Sequence, residues 1–323
     1  MRILFWGTPD FATPPLRALI GEGFDVVGVV TQPDRPRGRS RSQLDPSPVK
    51  RVALEEGLPV LQPEKPRGEA FLEEMRALAP DLSVVVAYGH ILPRAVIDLP
   101  RLGTLNIHAS LLPLLRGADP IRAAIRQGFA ATGVAIMRMV PALDAGPVLH
   151  VLQTPIAHDE TAGELTARLS ELGALALVEA LALMEAGVLT ETPQDDAAAT
   201  YAPKTEREHG RLDWTRSADD VARAVRACDP RPGAFGVLRG TEVKLFGARS
   251  VVVEERPDVV PGEVIALGPE GMDIKCGEDA VRVAYAQPAG RPRLTVPEWA
   301  RGRGVELGDV FSSANGAPGD GAA

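Results

Sequence analysis

The first half of the chain alternates short apolar runs with amphipathic segments, and this alternation limits the possible folds most. The strand-like runs are RILFWG, DVVGVVT, LPVLQP, LSVVVAYG, TLNIHA, TGVAIMRM and VLHVLQTPI. Strands that are separated by helices pair mostly in parallel. Each crossover helix returns the chain to the end of the sheet where the previous strand began, so the next strand runs in the same direction. We therefore expect an α/β domain over residues 1–189, with a mostly parallel sheet and helices on both faces. A long helical pattern closes it, with Thr161 as the N-cap and Gly187 after the last turn.

The second half has a different pattern. Residues 190–209 are rich in charged and small side chains and lack a core periodicity, so we expect a linker. Residues 210–310 contain one helical pattern and then short strand-like runs that glycine and proline interrupt. A small β-barrel buries such strands without leaving exposed edges. The small, polar residues 311–323 are expected to be a disordered tail.

Composition limits where the protein acts and what it binds. The chain has 323 residues and a net charge of -8, which argues against a protein that coats nucleic acid nonspecifically. No apolar run approaches the ~20 residues of a membrane span, and the start MRILFWGTPDF turns polar too early for a signal peptide. The two cysteines, Cys228 and Cys276, lie far apart and predict neither disulfides nor a thiolate metal site. A reducing, cytoplasmic setting is expected, with no membrane contact.

Several familiar sites have no sequence signal here. The first strand runs into GTPDF, with neither the G-x-G-x-x-G of dinucleotide folds nor a phosphate-binding P-loop. The histidines show no H-E-x-x-H spacing, so no metal site is predicted. One basic segment, residues 34–51, carries six basic residues against two acidic ones. It predicts either a local nucleic-acid contact or a solvated surface loop.

The segment LNIHASLLP places an amide, an imidazole and a hydroxyl at alternate positions, Asn106, His108 and Ser110. These side chains share one face if the strand continues that far, and they lie at its carboxyl end, where open α/β sheets bind ligands. Asp144, in a later glycine-containing loop, could hold the imidazole in one tautomer. The alternatives are that the polar groups satisfy main-chain atoms and that Asp144 forms a turn. Ser110 lacks the G-x-S-x-G setting of a hydrolase nucleophile.

At these residues the chain resembles the methionyl-tRNA formyltransferase family along almost its whole length, to about residue 310. The resemblance rests on GTPDFA, TQPDRPRGR with PSPVK, VVVAYGHILP, NIHASLLP with RGADPI, TGVAIM, LDAGPVL and AQPAG. It implies a Rossmann-like formyltransferase domain followed by a smaller OB-like β-barrel. The family's catalytic trio falls on Asn106, His108 and Asp144.

The resemblance also implies the substrates and their contacts. The formyl donor is 10-formyltetrahydrofolate, no metal takes part, and the acceptor is charged initiator tRNA. The folate-binding segment falls on Ser110, Leu111, Leu112 and Pro113, with Tyr88 and Ile91 near the pteridine or, alternatively, in the sheet core. Arg39 matches an arginine that the family places near the acceptor stem, and we add its neighbours Arg37 and Arg41 as tRNA contacts.

The chain departs from the family pattern beside the site. Leu114 and Leu115 replace an Arg-Trp pair, and Asp119 replaces an alanine, which puts details of substrate contact in doubt. Two other functions stay open. A folate-dependent formyltransferase of a nucleotide sugar or purine precursor would use the same trio but would need neither the second domain nor the basic segment. A tRNA-binding protein with a vestigial site would not need an intact trio. We expect a monomer.

Overall fold

The structure is a computed structural model that describes residues 1–37, 43–254 and 257–312. Two compact units divide the chain. The first unit comprises Met1–Pro120, Ala131–Pro155 and Thr166–Ala202. The second comprises Ile121–Ala130, Ile156–Leu165 and the described residues from Pro203 onward. The sequence of each unit is therefore discontinuous.

A sheet of mostly parallel strands forms the centre of the first unit. Its order is β5-β2-β1-β6-β7-β8-β9, and β8 and β9 are antiparallel to their neighbours, whereas the other pairs are parallel. Two further strands, β3 and β4, pair only with each other among the described residues. The strands are β1 (Arg2–Gly7), β2 (Asp25–Val30), β3 (Arg35–Arg37), β4 (Gln43–Asp45), β5 (Val60–Leu61), β6 (Leu82–Val86), β7 (Thr104–His108), β8 (Ala131–Arg138) and β9 (Val148–Pro155).

Helices follow most of the strands, although none lies between β8 and β9. They are α1 (Thr13–Gly21), α2 (Pro48–Glu55), α3 (Glu69–Ala77), α4 (Arg94–Ile97), α5 (Pro120–Arg126) and α6 (Ala162–Glu185). The predicted start of α6 is confirmed, because Thr161 Oγ1 accepts a hydrogen bond from Glu164 N at 3.2 Å and the Glu164 carboxylate accepts from Thr161 N at 2.9 Å. Such a reciprocal pair satisfies two main-chain donors of the first turn.

The central strands are buried on both faces, which explains why their sequences are continuous apolar runs rather than alternating ones. All five residues of β6 are buried. Trp6 of β1 makes edge-to-face contacts with Phe71 and Tyr88, at centroid distances of 5.9 and 5.2 Å. The edge strand β9 instead alternates buried or half-buried residues with exposed ones over most of its length. The mostly parallel α/β architecture is confirmed.

The second unit is a curled antiparallel sheet. Its strands are β10 (Ala234–Leu238), β11 (Thr241–Val251), β12 (Val264–Gly268), β13 (Gly271–Lys275), β14 (Ala280–Pro288), β15 (Leu294–Thr295) and β16 (Phe311–Ser312), with helices α7 (Ala218–Cys228) and α8 (Val296–Arg301). The order is β12-β13-β14-β11-β10-β16, and β15 pairs with β14. Main-chain hydrogen bonds from Val264 N to Asp309 O and from Phe311 N to Gly262 O, both 2.8 Å, join the two ends. The predicted small barrel is confirmed.

The segment predicted to be a tail, residues 311–323, begins with a strand residue of the second unit. Phe311, in the segment predicted to be a tail, is a strand residue and is only 1% exposed. Residues 313–323 lie outside the described residues. No helix in the described part of the chain is long and apolar enough to cross a bilayer.

Candidate active site

Strand β7 positions the first two members of the predicted trio. It lies between β6 and β8, and Asn106 pairs with Val85 on one side and Met137 on the other. The strand ends at His108, so Asn106 and His108 lie on the same face of the sheet at its carboxyl end. Among the described residues, nothing hydrogen-bonds to the side-chain amide of Asn106. That amide is therefore available to a ligand.

His108 is buried, and a different group faces each of its ring nitrogens. Its Nε2 lies 3.0 Å from the main-chain oxygen of Leu115, and its Nδ1 lies 3.7 Å from Oδ2 of Asp144. Because a carbonyl oxygen only accepts, Nε2 carries the proton and the lone pair of the neutral ring lies on Nδ1. Burial lowers the pKa of His108 below its ordinary value, while Asp144 and the Leu115 hydrogen bond raise it. The ring is thus a neutral base near pH 7.

Asp144 is fixed by its own main chain and by Gly117. Its φ is 47°, a left-handed conformation that aspartate tolerates better than most residues. Its Oδ2 accepts a hydrogen bond from Gly117 N at 2.8 Å. Gly117 itself has φ 117°, and a Cβ at this position would lie 2.7 Å from Ala202 O. The tight main-chain approach that brings an N–H to the carboxylate therefore requires glycine.

The segment after β7 turns away from the strand direction. The strand ends before Ser110, so the alternation of faces does not extend to that residue. The Ser110 hydroxyl is buried and donates to Leu114 O at 2.5 Å, which closes a tight turn. Leu111, Leu112 and Pro113 are half-buried. The predicted folate segment is thus an apolar, partly accessible turn directly after the His108 strand.

The two remaining predicted folate contacts have opposite environments. Tyr88 is 2% exposed, and its hydroxyl is buried without a hydrogen-bond partner among the described residues. Burial raises the pKa of Tyr88 to about 12, so this hydroxyl keeps its proton and can donate it. Ile91 is 88% exposed and therefore does not belong to the sheet core.

The predicted tRNA contacts fall on a segment that the structure describes only in part. Arg37 belongs to β3, and Arg39 and Arg41 lie outside the described residues. The tRNA contacts predicted for these arginines therefore stay predictions.

The sequence did not predict a further set of residues, which hold the loops around the trio. Arg116 is 3% exposed, and its guanidinium donates to Gln194 Oε1 and to Asp196 Oδ1. Main-chain hydrogen bonds of 2.8 Å join Arg116 N to Thr200 O and Ala202 N to Arg116 O. The motif RGADPI marks Arg116, whereas nothing in the charged and small residues around Gln194 indicates such a contact.

The structure shows why leucine is tolerated at position 115, where the family pattern has a different residue. Leu115 has φ 59°, its main-chain oxygen accepts from His108, and its N donates to Thr200 Oγ1 at 2.8 Å. Both interactions use main-chain atoms, so they do not depend on which side chain this position carries. Nothing in the structure explains the Leu114 side chain.

Comparisons with known proteins agree with this architecture. Residues 1–181 match the family Formyl transferase, and residues 204–304 match Formyl transferase, C-terminal domain. The methionyl-tRNA formyltransferase of Marinobacter nauticus is 46% identical over 302 residues, which cover 94% of this chain and 96% of the relative. That of Bacillus subtilis is 43% identical over 315 residues, which cover 97% and 98%.

A solved structure has the same fold. HypX from Aquifex aeolicus in complex with tetrahydrofolic acid matches 97% of this chain with a TM-score of 0.65 and 24% identity. This chain spans 50% of that longer protein. Two family matches that together cover most of the chain, and relatives above 40% identity along nearly all of it, agree with the motifs and the fold. The chain belongs to the methionyl-tRNA formyltransferase family.

Proposed function

We propose that this chain transfers the formyl group of 10-formyltetrahydrofolate to the amino group of methionyl initiator tRNA, and that Asn106, His108 and Asp144 carry out the step. The observation that carries this proposal is the buried His108, which is neutral and has its lone pair on the nitrogen nearest Asp144. Relatives that are 46% and 43% identical over 94% and 97% of this chain are named methionyl-tRNA formyltransferases.

His108 acts as the general base. The methionyl nitrogen attacks the formyl carbon, a C–N bond forms, and the nitrogen must lose a proton as it does so. Nδ1 of His108 takes that proton, and the ring becomes cationic. The Asp144 carboxylate at 3.7 Å stabilises this cation inside a buried site, where charge interactions are stronger than in water. The bond between the formyl carbon and the folate nitrogen then breaks, and the cationic His108 gives its proton to the folate nitrogen, which restores the neutral ring.

Asn106 acts on the oxygen of the formyl group. As the carbon becomes tetrahedral, this oxygen gains negative charge, and an amide N–H that is already positioned stabilises it without reorganisation. The Asn106 amide suits this role because it has no hydrogen bond to other described residues and shares a face with His108. No residue in this step requires a metal.

The apolar turn of Ser110, Leu111, Leu112 and Pro113 holds the folate, together with Tyr88 and Ile91. The orphan Tyr88 hydroxyl supports this assignment, because a buried donor without an acceptor costs free energy unless a ligand supplies one. We assign catalysis to residues 1–189 and tRNA binding to residues 210–310, with Arg37, Arg39 and Arg41 at the acceptor stem. We infer a monomer that acts in the cytoplasm, where charged initiator tRNA is used.

Formylation of charged tRNA tests the proposal. The purified protein should formylate methionyl initiator tRNA when 10-formyltetrahydrofolate is present, and should prefer it over methionyl elongator tRNA. His108→Ala should lower kcat by about 10² to 10⁴ and should still bind the folate. No formylation by the unaltered protein, or equal kcat in His108→Ala with both substrates saturating, would contradict the assignment.

A further inference from the structure

Residues 192–202, here called the 192–202 segment, pack across the loops that surround His108 within the first unit. Thr192 and Val148 exchange two main-chain hydrogen bonds of 2.8 Å, which anchor the start of the segment beside β9. At the other end, Ala202 N donates to Arg116 O at 2.8 Å. The segment is thus paired with the loop after β7 at one end and with β9 at the other.

The buried guanidinium of Arg116 sets the position of Gln194. A cation that is 3% exposed is costly unless hydrogen bonds replace its hydration. Nε and Nη2 of Arg116 both donate to Oε1 of Gln194, at 3.0 and 2.8 Å, and Nη2 also donates to Asp196 at 2.7 Å. Both partners belong to the 192–202 segment. Replacing Gln194 by an apolar side chain would leave Nε without an acceptor.

The other end of the Gln194 amide holds the loop that carries Asp144. Its Nε2 donates to Asp144 O at 2.8 Å and to Gly146 O at 2.7 Å. The amide therefore uses both of its donors and accepts two hydrogen bonds. If it were flipped by 180°, its NH2 group would face the N–H donors of Arg116 and its oxygen would face two carbonyl oxygens. Gly146 lies so close to the end of β8 that a Cβ there would lie 1.8 Å from Arg138 O, so this position requires glycine.

The same segment also holds the second neighbour of the imidazole. Thr200 Oγ1 accepts from Leu115 N at 2.8 Å, and Leu115 O is the acceptor for His108 Nε2. The two groups that face the ring nitrogens of His108, the Asp144 carboxylate and the Leu115 carbonyl, thus lie on two separate loops. Both loops are fixed by the 192–202 segment.

We propose that Gln194 is a positioning residue for formyl transfer, which joins the loop of Arg116 to the loop of Asp144 and so fixes the geometry around His108. This inference rests on the proposed function, because it assigns a role in that reaction. Gln194 does not touch the reacting atoms and acts through Asp144. The predicted linker therefore contains a part of the catalytic apparatus.

Gln194→Met tests the proposal, because methionine has a similar length and adds no charge near His108. The matched control is Gln153→Met, at an exposed position of β9 in the same unit. We expect kcat of Gln194→Met to fall about tenfold to a hundredfold, since small misplacements of catalytic groups cost that much. The KM values for folate and charged tRNA should stay within about twofold of the unaltered protein.

The pH profile separates positioning from simple destabilisation. Asp144 is the charged group that faces His108, and its attraction raises the pKa of the ring. If Asp144 moves away in Gln194→Met, the acid limb of kcat/KM against pH shifts to lower pH. Gln153→Met should show neither change. A Gln194→Met protein with the kcat and acid limb of the control would overturn the proposal, whereas an inactive unaltered protein would overturn the proposed function itself.

A second variant covers the case in which Gln194→Met does not fold, as judged by its thermal unfolding. Thr200→Val keeps the side-chain shape and removes the acceptor for Leu115 N. We expect a fall in kcat with unchanged folate binding, because the Leu115 carbonyl would no longer be held against His108. Unchanged kcat in Thr200→Val would then contradict the idea that the 192–202 segment positions the base.

Discussion

The carboxylate of Asp144 lies 3.7 Å from Nδ1 of His108, beyond hydrogen-bond distance, while its Oδ2 accepts a hydrogen bond from Gly117 N at 2.8 Å. Asp144 therefore acts on the imidazole as a nearby charge, and its orientation is set by the main chain of the loop after β7. The proton on Nε2 of His108 is fixed instead by the Leu115 carbonyl. Orientation and charge stabilisation of the base thus come from two different groups.

Asp144→Asn should separate these two contributions. The amide oxygen can still accept from Gly117 N, so the loop keeps its shape, but the negative charge is lost. We expect kcat to fall by roughly 10²-fold, because the cationic ring is no longer stabilised. The pKa of His108 loses the contribution that raises it, so the acid limb of kcat/KM should move to lower pH. A limb that moves to higher pH would show that Asp144 does not act through its charge.

Asn106→Ala should affect the chemical step alone. Loss of one donor to a developing oxyanion costs about 10² to 10³ in kcat. The KM values should change little, because the donor binds the oxygen more strongly in the transition state than in the ground state. Steady-state kinetics with both substrates saturating, together with thermal unfolding to show that the variant is folded, provide the measurement. Near-unaltered kcat would remove Asn106 from the mechanism.

Stability should depend on pH through His108. Its pKa in the folded protein is lowered from the ordinary value of 6.5 by burial, so below that value the unfolded chain binds a proton that the folded chain resists. The protein therefore loses stability as the pH falls below 6.5, and the loss continues until the pH reaches the lowered pKa.

His108→Gln removes this contribution. We expect a smaller loss of unfolding free energy between about pH 8 and about pH 5 than in the unaltered protein, measured by urea denaturation. The other histidines are present in both proteins and serve as the internal control. An equal pH dependence in the two proteins would mean that His108 is not buried as a neutral ring.

The basic segment should be tested by salt dependence. If Arg37, Arg39 and Arg41 contact phosphates, each contact that is lost should flatten the log-log salt slope of tRNA binding by somewhat under ~1. Arg39→Ala should have a larger effect than Arg41→Ala, because the resemblance predicts the acceptor-stem contact at Arg39. Folate affinity should not change. If a triple alanine variant kept the tRNA affinity and the salt slope of the unaltered protein, the segment would be a solvated surface loop and not a tRNA contact.

The sheet and the two site residues at the carboxyl end of β7 could be predicted, because the sequence patterns that indicate them are local. Continuous apolar runs such as LSVVV predict buried parallel strands, and the alternation of Asn106 and His108 places both side chains on one face. The surroundings of His108 could not be predicted in the same way. The Leu115 carbonyl acts through its main chain, which no side-chain pattern reports, and Gln194 is 78 residues from Arg116 in a stretch without periodicity.

The pairing of Leu115 with Thr200 also sets the earliest point during synthesis at which the loop beside His108 can be held in place. The two residues are 85 positions apart, so the loop beside His108 is made long before the acceptor that holds it. A ribosome that adds roughly 5 to 20 residues per second needs roughly 4 to 17 seconds to cover that interval. The Leu115 carbonyl therefore cannot be held against His108 in this way until several seconds after Leu115 itself has been made.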